Sequence, residues 1–190
     1  MYFIIILLVC LLSLLFTPLL FTYFIHKHVG YVGGSWYGHS GAAVDYLCMP
    51  KNPDWSGLKY KNGTSGSGGY VYGAEYETLY SNIGIDKSYS QYDVPCAVCR
   101  DVGHSSVVMV PSKTKCNASW TKQYSGYLMA GYYNHAAASQ YICVDKDAEK
   151  VGTTTNSNGV LLYPVEARCG SLPCGPYVEG AELGCVVCTK

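Results

Sequence analysis

The chain has 190 residues, with 13 basic and 13 acidic side chains and a formal net charge of zero, which argues against nucleic acid as a partner. Only 14% of the residues are charged, whereas 19 are tyrosine and 21 are glycine, a composition that favours strands joined by turns. Ten cysteines in one or two small domains indicate an oxidising compartment.

An almost unbroken apolar run covers Tyr2 to Ile25, which is about long enough to cross a bilayer as a helix. We predict that residues 1–28 form an apolar helix that is either a cleaved signal peptide or an uncleaved signal-anchor. No lysine or arginine precedes the run, and no clear cleavage site follows it. Lys27 by itself favours a cytosolic C-terminus, but the downstream cysteines outweigh one lysine. Cys10 lies in this run and is expected to take no part in the fold.

Residues 29–103 are predicted to form a first β subdomain. Its main strand candidate, Tyr70 to Leu79, follows a Gly-rich loop that lacks the Gly-Lys-Ser/Thr ending of a phosphate-binding loop. Asn62 in that loop and Asn117 further on each begin an Asn-x-Ser/Thr triplet. Both asparagines are therefore candidate N-glycosylation sites.

Residues 104–190 are predicted to form a second β subdomain. Val107 to Val110 is a short apolar run typical of a buried strand. Val160 to Arg168 is a further strand candidate, in which Pro164 indicates an edge or a bulge. The expected helical content is a turn or two near Asp145 to Lys150. The predicted fold class is therefore all-β, with two tandem disulfide-linked β subdomains after an N-terminal helix.

The two predicted subdomains repeat the same landmarks in the same order. A Gly-Tyr pair begins nine residues before His39 and nine before His135, and a Tyr-aliphatic-Cys motif follows each histidine. A Tyr-x-x-Glu motif then ends at Glu75 and at Glu166, and a Cys-x-x-Cys motif closes each copy. We infer a duplicated β unit in which each copy buries its apolar face against its twin.

Four segments carry a family resemblance: Gly41-Ala-Ala-Val-Asp-Tyr-Leu-Cys48-Met-Pro, Asp93-Val-Pro-Cys96-Ala-Val-Cys99, Gly126-Tyr-Leu-Met-Ala-Gly131 and Val165-Glu-Ala-Arg-Cys169-Gly-Ser-Leu-Pro-Cys174. They resemble the C-terminal non-collagenous domain of spongin short-chain collagens and related stand-alone invertebrate extracellular proteins. That domain is similar, more distantly, to the duplicated terminal domain of type IV collagen. The resemblance implies an all-β, disulfide-held extracellular module without a catalytic role. The chain has no Gly-X-Y tract, so it cannot form a triple helix.

The six cysteines of the second subdomain allow many pairings, among which the sequence alone cannot choose. The resemblance to type IV collagen implies first-to-sixth, second-to-fifth and third-to-fourth pairing, together with one pair in the first subdomain. The implied disulfides are Cys116–Cys188, Cys143–Cys185, Cys169–Cys174 and Cys48–Cys96.

Cys99 is left over because the position equivalent to Cys116 is Leu20, inside the apolar run. The counterpart of the strand at Val107 to Val110 falls in the same run. We therefore expect the first subdomain to lack its opening strand, and Cys99 to be a free thiol or to form an intermolecular bond. A truncated or misassembled N-terminus would explain the odd cysteine count equally well.

The remaining chemical candidates are polar residues that recur in both copies. His39 and His135 are predicted to be structural, with rings that hydrogen-bond to the backbone. Glu75 and Glu166 are predicted to bridge the subdomains or to cap a turn. No cleft or nucleophile accompanies them, so no catalytic residue is expected. The two Cys-x-x-Cys pairs could form a zinc site, but the other cysteines and the secretory context argue against it, so neither a metal nor another cofactor is expected.

The sequence predicts a non-enzymatic structural or adhesion module of extracellular-matrix type. It would act by protein–protein association with other extracellular proteins or with itself, and would be secreted or tethered by its N-terminal segment. The alternative is a secreted carbohydrate- or mucus-binding, lectin-like module in which surface aromatic rings contact glycan. An extracellular hydrolase is a third class, supported only by the paired histidines and glutamates.

Overall fold

A computed structural model describes residues 2–5, 24–55, 66, 68–79 and 85–190. Within them the chain is all-β, as predicted, and ten strands form a single curled sheet. The strands are β1 (Tyr2–Ile5), β2 (Phe24–Gly34), β3 (Leu47–Pro50), β4 (Tyr72–Tyr76), β5 (Pro95–Asp101), β6 (Val107–Pro111), β7 (Thr121–Ala130), β8 (Ile142–Asp145), β9 (Val160–Pro164) and β10 (Gly184–Thr189). A 3₁₀ helix covers Lys87–Tyr89. The helical piece expected after β8 is a turn, in which the Ala148 N–H donates to the Asp145 carbonyl.

The order of the strands is nearly the same from either end of the sheet. The order is β1-β5-β2-β4-β9-β7-β10-β6, with β3 paired to β2 and β8 paired to β7. If β1 to β5 are matched one by one with β6 to β10, the order β1-β5-β2-β4 corresponds to β6-β10-β7-β9, which is the other half of the sheet read from its opposite edge. The pairs are antiparallel except for β4 and β9, which run parallel at the centre and join the two halves of the chain into one mixed sheet. One hydrophobic core extends through both halves.

The pairing register also repeats between the two halves. Gly30 lies opposite Cys96 in β5 and Pro50 in β3. At the equivalent place, Gly126 lies opposite Cys185 in β10 and Asp145 in β8. Each half also has a register shift at the same position, between β2 and β5 and between β7 and β10. The sequence duplication is thus a duplication of hydrogen-bonded register.

Where the structure describes residues 1–28, it shows strands in place of the predicted apolar helix. Tyr2–Ile5 is β1 and Phe24–Gly34 is β2, while residues 6–23, including Cys10, lie outside the described part of the chain. Aromatic and β-branched residues favour strands where a partner edge is available, and β5 offers that edge to β1. No helix in the described ranges is long and apolar enough to span a bilayer.

The prediction that the first half lacks its opening strand is also wrong. β1 pairs with β5 so that Ile4 lies opposite Val98. β6 pairs with β10 so that Met109 lies opposite Val187, which is the equivalent position. Tyr2–Ile5, at the start of the apolar run, is therefore the opening strand of the first half.

The four implied disulfides are confirmed. Their Cα atoms are 5.5 to 6.0 Å apart, and the pairs are Cys48–Cys96, Cys116–Cys188, Cys143–Cys185 and Cys169–Cys174. Four disulfides indicate an oxidising environment. Cys99 is disulfide-bonded as well and has no exposed surface, so the prediction of a free or intermolecular thiol is wrong. The reasoning failed because it placed the opening strand of the first half in a membrane.

Candidate functional site

Each half of the chain places its histidine in a cluster of three rings. The clusters are Trp36, His39 and Tyr72 in the first half, and Tyr132, His135 and Tyr163 in the second. The histidine and the β-strand tyrosine have centroids 5.8 Å apart in both clusters, with nearly perpendicular rings. This edge-to-face arrangement is a favourable geometry for aromatic rings. Both repeated histidines therefore take part in aromatic packing.

A shared turn positions both histidines. The backbone N–H of His39 donates to the Trp36 carbonyl at 3.0 Å, and that of His135 donates to the Tyr132 carbonyl at 3.0 Å. The predicted hydrogen bonds from the rings to the backbone are absent from the described residues, so that part of the prediction is wrong. His135 Nδ1 is buried without a hydrogen-bond partner, and burial lowers the pKa of His135.

One ring contact connects the two clusters. Tyr37 packs on His135 with centroids 4.7 Å apart, and Tyr37 is itself 5.0 Å from the ring of Trp36. With Tyr70 and Tyr133 at the two ends, the nine rings form a continuous aromatic belt across the junction of the halves. Tyr133 is 89% exposed, so the second-half end of the belt is open to solvent.

The first half carries a second distinctive surface, an apolar face on β2, β3 and the residue before β4. Its side chains are 37 to 54% exposed and are Val29, Tyr31, Leu47, Met49 and Val71. Met49 and Val71 converge over Gly33, since a Cβ at that glycine would lie 2.8 and 2.9 Å from their side chains. Adjacent strands thus present these residues together rather than singly.

The equivalent surface of the second half is closed. The counterparts of Met49 and Val71 are Val144 and Leu162, and both have no exposed surface. Residues of the first half cover this surface. Tyr76 lies opposite Leu162 in the β4–β9 pairing, and Tyr76, Val144 and Leu162 all belong to the common hydrophobic core. The apolar face is therefore open only in the first half, among the residues that the structure describes.

Two tyrosines hold this closure in place. The Tyr76 hydroxyl donates to the Glu149 carbonyl at 2.9 Å, and the Tyr89 hydroxyl donates to the Ala148 carbonyl at 2.8 Å. The Lys150 ammonium lies 4.3 Å from the centroid of the Tyr92 ring, a cation–π contact. These contacts run from the first half to the turn after β8, and so they stabilise the second half with residues from the first.

A cavity of about 280 Å³ lies between the halves. Its lining is mostly apolar and consists of Val32, Tyr46, Leu47, Val107, Met109, Tyr124, Gln140, Tyr141, Ile142, Cys143 and Val187. Among the described residues, its lining includes three tyrosines and no carboxylate, histidine, lysine or free thiol. The repeated histidines and glutamates are not part of its lining.

The repeated glutamates occupy different environments. Glu75 is 3% exposed and accepts hydrogen bonds from the backbone N–H groups of Ser157 and Asn158, so it connects the first half to a loop of the second. This contact favours the predicted bridging role of Glu75, which stays a prediction. Glu166 is exposed and lies opposite Glu182 in an isolated β-bridge. The equivalent bridge in the first half places Asp93 opposite Glu75.

The sequence reasoning missed a histidine–carboxylate pair near the boundary of the halves. His104 Nδ1 and Asp101 Oδ2 are 2.7 Å apart. Burial raises the pKa of Asp101, but hydrogen bonds from His104, Gly103 and Thr189 outweigh it and leave that pKa below its usual range. The three-residue spacing is a sequence signal that could have indicated the pair. Since β5 ends at Asp101 and His104 binds the end of β10 through Thr189, the pair joins two strand ends.

The remaining predicted sites are the Cys-x-x-Cys motifs and the two glycosylation asparagines. Each described cysteine of the Cys-x-x-Cys motifs is in a disulfide, which leaves no thiolate for zinc. Asn117 is exposed in the turn between β6 and β7, and Asn62 lies outside the described residues. No protein-family model matches the chain.

Proposed function

We propose that the protein is a non-enzymatic extracellular structural module that acts by protein–protein association through the apolar face of its first half. The observation that supports this proposal is the difference between the halves: five apolar side chains are exposed in the first half, whereas the counterparts of Val29, Met49 and Val71 are buried in the second half and the other two are partly buried. Monomeric soluble proteins rarely expose contiguous apolar patches without a partner. A second copy of the chain is the first partner to test.

The proposal includes the finer organisation of the chain. The repeated register supports two homologous β subdomains, residues 29–103 and 104–190, with β1 added to the first. The four disulfides and the exposed Asn117 support secretion, with glycosylation at Asn117 and Asn62. The cysteine pairs support the proposal that the chain is related to the C-terminal non-collagenous domain of spongin short-chain collagens. The proposal also includes secretion or tethering by the N-terminal segment, and N-terminal sequencing of the mature chain distinguishes a cleaved segment from a retained anchor.

Multi-angle light scattering on a concentration series tests the association. We expect the wild-type chain to form a dimer or larger assembly, and Met49→Glu to shift it to the monomer because a charge at the centre of a buried interface is costly. Val178→Glu is the matched control, since Val178 is 67% exposed in a loop outside the apolar face. A wild-type chain that stays monomeric up to roughly 1 mM would contradict self-association.

A carbohydrate-binding module is the second candidate, and the open end of the aromatic belt favours it. Tyr132 and Tyr133 are 40% and 89% exposed, and their ring centroids are 4.5 Å apart. Adjacent exposed rings can pack on sugar faces. A glycan array tests this: binding that Tyr133→Ala abolishes and Met49→Glu leaves intact would support it, whereas an array without signal would exclude it.

A further inference from the structure

The acid pair of the first half, a buried Glu75 and a half-buried Asp93, has unusual surroundings. Glu75 and Asp93 lie directly opposite each other in an isolated antiparallel β-bridge, so their side chains point to the same face. Like charges in this position repel each other. The three ion pairs within the described ranges use the carboxylates of Asp101, Asp147 and Glu179, so neither Glu75 nor Asp93 has a basic partner there.

One oxygen of this pair is left without a partner. Glu75 is 3% exposed, and its Oε2 atom is buried without a hydrogen bond. Burial raises the pKa of Glu75 and of Asp93, and the Asp93 charge adds to the effect at Glu75. A buried polar atom without a partner costs free energy, which indicates that something binds it in solution.

The loop of residues 152–158 lies over the acid pair. The Val151 and Asp93 backbones exchange two hydrogen bonds, and a Cβ on the next residue, Gly152, would overlap the Asp93 carboxylate. Gly152 has a φ of +75°, and Asn156 and Asn158 have φ of +47° and +56°. Left-handed residues of this kind turn successive backbone N–H groups inward, and those of Ser157 and Asn158 donate to Glu75. These donors oppose the effect of burial on the pKa of Glu75 without outweighing it, so the pKa stays raised and a cation at the site would favour the carboxylate form.

The composition of the loop matches a hard cation. Every residue from 153 to 158 carries a side-chain oxygen (Thr-Thr-Thr-Asn-Ser-Asn). Calcium binds six to eight oxygens from carboxylates, amide and backbone carbonyls and water, and it tolerates irregular geometry. Two carboxylates also balance its charge. Magnesium fits less well because it requires a near-octahedral set of ligands.

We propose that Glu75 and Asp93, together with oxygen atoms of the loop 152–158, bind a calcium ion. The ion neutralises the opposed carboxylates and ties the loop of the second half to β4 of the first. A site with two carboxylates, one on β4 and one opposite it in the bridge, fits the affinity of about 10⁻⁴ to 10⁻³ M that is common in extracellular calcium modules. The equivalent pair of the second half, Glu166 and Glu182, has no loop over Glu166, which is exposed, so it is not part of the proposal.

The test combines thermal unfolding with terbium luminescence on the full-length chain. We expect about 10 mM calcium to raise the melting temperature of the wild-type protein by about 3–6 °C over a chelated sample, and magnesium to raise it less. Terbium, a calcium analogue whose emission nearby tyrosines sensitise, should bind and be displaced by calcium. Glu75→Gln and Asp93→Asn should each weaken terbium binding by about tenfold or more.

Glu166→Gln is the matched control, because Glu166 occupies the equivalent position on an exposed surface, and it should keep the full calcium response. A calcium response that is the same in Glu75→Gln as in the wild-type protein overturns the proposal. The absence of any calcium or terbium response in the wild-type protein overturns it too, and would mean that the acid pair shares a proton. The wild-type measurement does not depend on any variant folding.

Discussion

The rings of Tyr37 and His135 pack against each other across the junction of the two halves of the sheet, with centroids 4.7 Å apart and a tilt of 49°. The backbone of Tyr37 is held in the same place, since its N–H donates to the Gly159 carbonyl and its carbonyl accepts from the Ala137 N–H. The duplicated histidines are therefore not equivalent. His135 contacts rings from both halves, whereas His39 is exposed and contacts rings of the first half.

This asymmetry predicts different costs for the same substitution. His135→Ala should lower the free energy of unfolding by about 2 kcal/mol, because it removes contacts with Tyr37, Tyr132 and Tyr163. His39→Ala should cost less than about 1 kcal/mol because that ring is largely solvated. Urea unfolding followed by tyrosine fluorescence measures both. Equal costs would contradict the asymmetry between the two ring clusters.

The pH dependence of stability should report on His135. Burial lowers the pKa of His135 in the folded chain below its ordinary value of about 6.5, so between these two values the unfolded chain binds more protons. Its contribution is therefore complete above about pH 6.5 and is lost as the pH falls through the folded-state pKa. His135→Phe keeps the ring contacts and removes the titrating nitrogen. The free energy of unfolding of the wild-type protein should therefore fall relative to that of the variant as the pH drops below about 6.5, and the difference should be constant above that pH. A difference that is constant at all pH values would refute the assignment.

The repeated glycines of β2 and β7 should be intolerant of a side chain. A Cβ on Gly30 would overlap the Met49 carbonyl, and one on Gly126 would overlap the Val144 carbonyl at the equivalent place. Because the obstacle is backbone, Gly30→Ala and Gly126→Ala should each cost about 3 kcal/mol. Gly73→Ala is the control, since a Cβ there meets no atom within 4 Å. Chemical denaturation measures all three, and a control as damaging as the test variants would point to strand propensity instead.

The disulfides should differ in both reactivity and contribution to stability. Cys174 is exposed and closes a sequence separation of 5 with Cys169, whereas Cys143 and Cys185 are buried and span 42 residues. Loop-closure entropy predicts that removing these bonds costs about 2 and about 4 kcal/mol respectively. Mild reduction followed by thiol alkylation and mass spectrometry should label Cys169 and Cys174 first. Early labelling of Cys143 would contradict the structural order of accessibility.

Local patterns in the sequence were sufficient to predict the fold class and the internal repeat. The all-β class follows from a chain rich in tyrosine and glycine with few charges, and the repeat of Gly-Tyr, His, Tyr-x-x-Glu and Cys-x-x-Cys landmarks corresponds to a repeated register. Such signals survive because they are short-range: strand pairing keeps each landmark at a constant interval within its own copy. The cysteine pairs came from a family resemblance and not from spacing.

The N-terminal segment shows where sequence reasoning failed. Phe3, Ile4 and Ile5 are hydrophobic enough for a membrane helix and β-branched or aromatic enough for a strand, and hydropathy cannot separate the two. The free edge of β5, about ninety residues away, decides for a strand. Cys99 was misjudged for the same reason, because its environment depends on that distant pairing.

The sequence by itself determined that this chain is a disulfide-linked β protein built from two copies of one pattern. Only the tertiary structure decided how the copies differ. The parallel pairing of β4 with β9 lets first-half residues close one side of the second half, while the corresponding side of the first half stays open. It also brings the loop 152–158 over Glu75 and Asp93, which are 18 residues apart and distant from the loop in sequence. Burial and like-charge opposition arise from contacts between remote segments, and no local periodicity encodes them.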